Sequence, residues 1–150
     1  MYKFTLEGML NASVSDVFDA FSKPELIVKW CAPGRLTVCK YIGEISVGSN
    51  YRLVFESDDG FRQMVEGTYN LVEKDKKLSF TWRWEDTHEM TKVCVSFVAI
   101  KNGNTQFELS QVGFKYHNDM LQQQYAWLDC LEKLSRILPA SEPNAVLQAL

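Results

Sequence analysis

Apolar and polar positions alternate through most of the middle of this chain. Leu78, Phe80, Trp82 and Trp84 occupy every second position, with Ser79, Thr81 and Arg83 between them. Tyr51, Leu53 and Phe55 repeat the pattern, as do Val93, Val95 and Phe97. A period of two puts such residues on one face of a half-buried strand. Strands are expected near 36–43, 50–57, 62–73, 77–85, 90–101 and 104–112, and Phe4 to Met9 reads as an earlier one. The breaks carry turn chemistry: Gly48-Ser49-Asn50, Asp58-Asp59-Gly60, Glu73-Lys74-Asp75-Lys76 and Asn102-Gly103-Asn104. Short links between consecutive strands imply an antiparallel meander.

Helical spacing appears in two places. Ser13 precedes Val14-Ser15-Asp16 in the form of a capping box, with Asp in place of the usual Glu. Val14, Val17, Phe18 and Phe21 follow. Pro24 starts a second short helix, carrying Leu26, Ile27 and Trp30, and Cys31-Ala32-Pro33-Gly34 ends it. Near the C-terminus, Met120, Trp127, Leu131, Leu134 and Leu138 fall on one stripe of a helix over about 116–138. Gln124 interrupts that stripe and needs a partner, water or a ligand there.

The expected organisation is one domain over 1–138 and a tail over 139–150. Its class is α+β: a curved antiparallel sheet of six to seven strands wrapped around a long C-terminal helix, with two short helices after the first strand. A helix that covers the apolar face of a curved sheet can enclose a pocket. The row of Phe80, Trp82 and Trp84 fits the wall of one.

Composition narrows the chemistry. With 46% hydrophobic and 23% charged residues the chain is ordinary for a globular protein. A net charge of -3 argues against a nucleic-acid partner. No apolar run is longer than Phe97-Val98-Ala99-Ile100, so no membrane-spanning segment is expected. The N-terminal residues lack the long apolar segment of a signal peptide, which makes a cytoplasmic location the default expectation. Cys31, Cys39, Cys94 and Cys130 are scattered and are read as small buried hydrophobes, without disulfides.

Catalytic and cofactor motifs do not emerge. His88-Glu89 begins like a zinc-protease helix, but Lys92 stands where the second His belongs. His88 and His117 read as exposed; Glu66 and Glu108 lie on expected strands, where a lone acid is more often outward-facing than an interior carboxylate. No phosphate-cradling glycine loop or nucleophile elbow is present. Neither a metal nor a cofactor is expected.

Several segments, in order, carry a family resemblance. These are Ala12 to Phe21, Trp30-Cys31-Ala32-Pro33-Gly34, Leu78 to Trp84, Thr91 to Phe97, Gly113-Phe114, and Trp127-Leu128 with Leu131. Together they resemble the SRPBCC (START/Bet v 1-like) superfamily, in particular the group similar to the C-terminal domain of the heat-shock protein 90 ATPase activator. The resemblance implies a helix-grip fold, and it adds a chaperone to the candidate partners. Two positions depart from the pattern. Gln111 stands where that family often has histidine, and Ala126 where it often has glycine before the helical tryptophan.

The leading expectation is non-catalytic binding of a small hydrophobic or amphipathic ligand between the sheet and the C-terminal helix. Its candidate wall is Leu53, Phe55, Phe80, Trp82, Phe97, Gln111, Gln124 and Leu128, with the two glutamines orienting a polar end. A chaperone-cofactor or other protein-interaction module is the alternative. Its surface candidates are Val146, Leu147 and Leu150 in the tail and the loop around Trp30 and Pro33. An enzyme of cyclase or hydrolase type using the same pocket is a third reading. Oligomeric state stays open, a homodimer included.

Overall fold

The structure is a computed structural model that describes residues 1–138 and 146–149. Strand β1 (Tyr2–Leu10) leads into α1 (Val14–Ser22) and the single turn α2 (Pro24–Ile27). Six strands follow: β2 (Thr37–Gly43), β3 (Asn50–Glu56), β4 (Arg62–Glu73), β5 (Lys77–Trp84), β6 (Thr91–Ala99) and β7 (Thr105–Phe114). Helix α3 (His117–Ile137) comes next, and Val146–Ala149 adds a short β8.

The sheet runs β2-β3-β4-β5-β6-β7-β1-β8, and every pairing is antiparallel. The meander from β2 to β7 is local in sequence. It becomes a curved sheet when β1 joins the far side of β7, which brings the N-terminal strand beside α3. Register shifts at Val38/Lys40 in β2 and Tyr69/Leu71 in β4 bend their strands, as bulges do. This is the helix-grip arrangement, α+β, with the core between the concave sheet face and the helices.

The alternation places side chains as expected. Tyr51, Leu53 and Phe55 of β3, Leu78, Phe80 and Trp82 of β5, and Val93, Val95 and Phe97 of β6 are all buried. The Ser13 hydroxyl accepts from the Asp16 backbone N–H at 3.1 Å and caps α1. Phe18 and Phe21 of α1 pack on Phe97 at ring distances of 5.8 and 5.3 Å, pinning the short helix to β6.

Two glycines shape the sheet. Gly67 pairs with Tyr51, and a Cβ there would overlap the Thr81 carbonyl oxygen and the Tyr51 ring. The missing side chain lets the Tyr51 ring lie across β4 and its hydroxyl donate to Thr81 O. Gly113 has φ +98°, a conformation L residues seldom adopt, and the β1–β7 register slips beside it, where Tyr2 pairs with Phe114 and Lys3 with Val112. The slip breaks the alternation by one residue, so Gln111 and Phe114 both turn inward.

Two sequence expectations change here, at Trp30 and at Cys39. Trp30 is not a surface residue: it is 2% exposed, its indole N–H donates to Ala20 O at 3.0 Å, and it packs against Phe21 and Trp127. Short α2 turns it under the sheet instead of outward. Cys39 is exposed on the edge strand β2, so only Cys31 and Cys130 are fully buried, with Cys94 between. The tail segment Val146–Ala149 pairs with Leu6 to Met9, while its side chains and Leu150 lie outside the described residues.

Candidate functional site

The space between the sheet and α3 is mostly filled by aromatic rings. Trp82 lies 5.5 Å from Trp127, 6.2 Å from Trp84 and 6.4 Å from Phe80. Phe80 in turn meets Tyr51 and Tyr69 at 5.9 and 5.3 Å. Two voids of about 20 Å³ each remain in this interior. Such a void holds about one water molecule.

A larger space opens at one end of the grip. A cleft of about 500 Å³ lies between the β5–β6 connection, the start of β4 and the first half of α3. Its apolar lining is Phe61, Met64, Trp82, Trp84 and Phe114. Gln111 and Thr91 reach it from the sheet, Gln122 and Gln123 from the helix. Glu85, Asp86, Glu89, Asp119 and Arg62 supply its charges. The β5–β6 connection is held in place: Arg83 Nη1 donates to Thr87 O at 2.9 Å, Glu85 N to Met64 O at 3.0 Å and Glu89 N to Thr87 Oγ1 at 3.0 Å.

A buried polar chain backs the cleft. Trp127 Nε1 on α3 donates to Gln111 Oε1 on β7 at 2.9 Å. Gln111 Nε2 donates to Thr91 Oγ1 on β6 at 2.8 Å, and Thr91 Oγ1 donates to Trp82 O on β5 at 3.2 Å. The chain ties the helix to three strands. Beside it, Trp82 Nε1 and Gln123 Oε1 are buried atoms without a hydrogen-bond partner.

The eight candidate wall residues separate in space. Trp82 and Gln111 line the cleft. Leu53, Phe55 and Phe80 line the small interior voids. Phe97 packs against α1, and Leu128 rests half-buried against the core. Gln124 is half-buried and does not line the cleft; its neighbour Gln123 does. Outside this region, Glu66 pairs with Arg52 at 3.4 Å and with Arg83. Glu108, His88 and His117 are exposed.

The tyrosines next to the inner void are desolvated by burial. Burial pushes the Tyr41 hydroxyl up to about 12 and those of Tyr51 and Tyr69 well above their ordinary value. The Cys130 thiol is pushed up by its hydrogen bond with Cys31 and then by burial. Neutral forms of all four persist near neutral pH, so the interior offers bulk and weak dipoles, not charge.

Comparison with known proteins agrees with this architecture. The family model described as Activator of Hsp90 ATPase homolog 1-like protein matches residues 11–139. The chain belongs to this family. No curated protein matches it. Solved structures similar to this AHSA1-like chain include protein CV1439 from Chromobacterium violaceum, 20% identical, with a TM-score of 0.83 over 91% of this chain and 96% of that one. The AHSA1 protein from Silicibacter pomeroyi is 19% identical, with a TM-score of 0.81 over 89% and 95%. Protein Ms6760 from Mycobacterium smegmatis is 15% identical, with a TM-score of 0.73 over 93% and 92%. At these identities the likeness is one of fold. Among the described residues, no helix of the AHSA1-like chain is long and apolar enough to cross a membrane.

Proposed function

We propose that this AHSA1-like chain binds a small amphipathic ligand, without catalysis, in the cleft at the open end of the grip. The observation that carries the reading is the contrast in space. The interior voids hold about 20 Å³ each, whereas the cleft offers about 500 Å³, within the range of small-molecule sites. Trp84 and Met64 supply apolar surface there, and Gln122 and Gln123 border it with amide side chains from the helix.

The test is a titration with an apolar fluorescent dye, read by dye emission and by tryptophan quenching. Affinity of micromolar order is expected, about -8 kcal/mol. Trp84→Ala should weaken it, since Trp84 is half-buried at the cleft. Dye binding that ignores Trp84→Ala and Met64→Glu alike would locate the ligand elsewhere.

A second reading comes from the family description. A chain of this family is a candidate regulator of a chaperone ATPase, working through its surface. Mixing it with a heat-shock protein 90 and measuring ATP turnover tests that directly. Acceleration that survives Trp84→Ala would favour the surface over the cleft.

A further inference from the structure

We propose that Cys31 and Cys130 form a reversible disulfide on exposure to a peroxide, fastening α3 to the loop after α2. The inference does not depend on what the cleft binds. Two segments remote in sequence meet here at successive points along one side of α3. Trp127 packs on Trp30 at a ring distance of 6.5 Å. On the next turn the Cys130 thiol hydrogen-bonds to Cys31. On the turn after that, Lys133 Nζ donates to Ala32 O and to Gly34 O, the latter at 2.8 Å. The cysteines are the middle contact of a seam pinned on both sides. Both are buried, and both line one void of about 20 Å³.

Buried cysteines have a simpler role as small packing groups. That role accounts for each one by itself. It leaves unexplained why the two thiols meet across a seam fixed at both ends. Burial slows their chemistry without isolating them: Trp82, Trp84 and Gln123 line both the void and the open cleft. The void also gives the sulfurs room to turn from hydrogen-bond contact into a bond. Cys130 keeps its proton, because its contact with Cys31 and its burial both push its thiol up, so Cys31 attacks first. Its thiolate forms an S–O bond with one peroxide oxygen as the O–O bond breaks, and the departing hydroxide is protonated to water. The Cys130 sulfur then attacks the resulting sulfenic acid. The S–S bond forms as the S–O bond breaks, and a second water leaves with the Cys130 proton. Two electrons pass from the thiol pair to the peroxide. The Lys133 ammonium, held on the next turn by the two loop carbonyls, favours thiolate at the seam. A dithiol reverses the bond by exchange.

The reduced, intact chain is treated with hydrogen peroxide, unfolded in the presence of an alkylating agent, and mapped by mass spectrometry. The expected result is a linked Cys31–Cys130 peptide, lighter by two hydrogens than the separate pair and lost on adding dithiothreitol. Cys39→Ser should form the link equally, since Cys39 is exposed on the edge strand β2. The Tm of the linked protein should rise by at least about 5 °C. Peroxide should give no such rise in Cys31→Ser or Cys130→Ser. In Cys130→Ser, dimedone should trap a sulfenic acid at Cys31; in Cys31→Ser it should trap none at Cys130. Trapping at Cys130 instead overturns the order of attack. Thermal unfolding of each reduced variant checks that it is folded, and the linked peptide of the unmodified chain decides the proposal without any variant. Cys31 and Cys130 recovered as free thiols after peroxide has consumed Cys39, or either of them linked to Cys39 instead, overturns the disulfide.

Discussion

The indole N–H of Trp127 on α3 donates to Oε1 of Gln111 on β7 at 2.9 Å, with both residues buried. This bond is the polar fastening between helix and sheet. Gln111 has its amide satisfied on both sides, by Trp127 and by Thr91. Its first role is therefore to fix α3 over the sheet at the back of the cleft, and what it offers a ligand is secondary to that.

Removing the fastening has a defined cost. Gln111→Leu leaves the Trp127 N–H buried without an acceptor, which is expected to cost about 1–3 kcal/mol. Denaturant unfolding measures it. Adding Trp127→Phe to Gln111→Leu should cost less than the two single changes summed, because the second change removes the group that the first one orphaned. Strict additivity would mean the bond contributes nothing in solution.

The strands were legible because their signal is local. Alternation at Tyr51 to Phe55 and Leu78 to Trp84 needs only its own residues, and the ends predicted for β4 coincide with those observed. The helix over about 116–138 runs from His117 to Ile137 for the same reason. The cleft was less legible. Gln122, Gln123 and Gln124 are consecutive, and one position is about 100° of helix rotation. Gln123 and Gln124 each lie three or four positions from Met120 and Trp127, so the stripe alone does not separate them. The packing of α3 does, and it aims Gln123 at the cleft. Phe61, Met64 and the carboxylates of the β5–β6 connection come together only through tertiary structure. Phe114 offered a local clue: it sits three positions after Gln111, against the alternation, and Gly113 explains how both face inward.

Gly113 gives the next prediction. A Cβ there would lie in ordinary contact with Met90 O and the Thr91 Cα, at 3.6 and 3.7 Å, so space is not the obstacle. Its φ of +98° is. Gly113→Ala is expected to cost about 1–3 kcal/mol from backbone strain. Gly67→Ala fails for the opposite reason: its φ is ordinary, but the Thr81 carbonyl and Tyr51 ring occupy the space. That change should cost at least about 1–3 kcal/mol and loosen the Tyr51 ring, visible as faster exchange of backbone amides in β4 and β5.

Alkaline pH should unfold the chain earlier than its surface charge suggests. Burial raises the folded-state values of Tyr41, Tyr51 and Tyr69 above the ordinary value of 10, Tyr41 to about 12. Above pH 10 the unfolded chain releases these protons and the folded chain keeps them. The folded state then binds more protons, so stability falls as pH rises. The contribution is fully present below pH 10 and is lost through the window up to about 12 and beyond. Tyr69→Phe removes one buried hydroxyl from the set, so its denaturation midpoint should fall less steeply across that window than that of the unmodified chain. Parallel slopes would show that the tyrosines titrate alike in both states.

Thiol reactivity should sort by burial. Cys39 is exposed, Cys94 is half-buried, and Cys31 and Cys130 are buried beside each other, with the Cys130 thiol held protonated by its Cys31 partner and its burial. Alkylation of native protein followed by mass spectrometry should label Cys39 first and the Cys31–Cys130 pair last, at a rate set by opening of α3. Fast labelling of Cys130 would mean that α3 separates readily from the loop after α2.

The tail separates cleft from surface. Strand β8 pairs with Leu6 to Met9 of β1, and no residue of β1 lines the cleft. Deleting residues 139–150 is therefore expected to leave dye affinity nearly unchanged while freeing the outer edge of β1. A freed edge strand offers unpaired N–H and C=O groups to another chain. Self-association of the truncated protein should rise accordingly, measured by sedimentation at increasing concentration. Loss of dye binding on truncation would mean that the tail reaches the cleft. Loss of chaperone ATPase stimulation with dye binding intact would put the partner surface on the β8 side of the sheet, opposite the edge formed by β2.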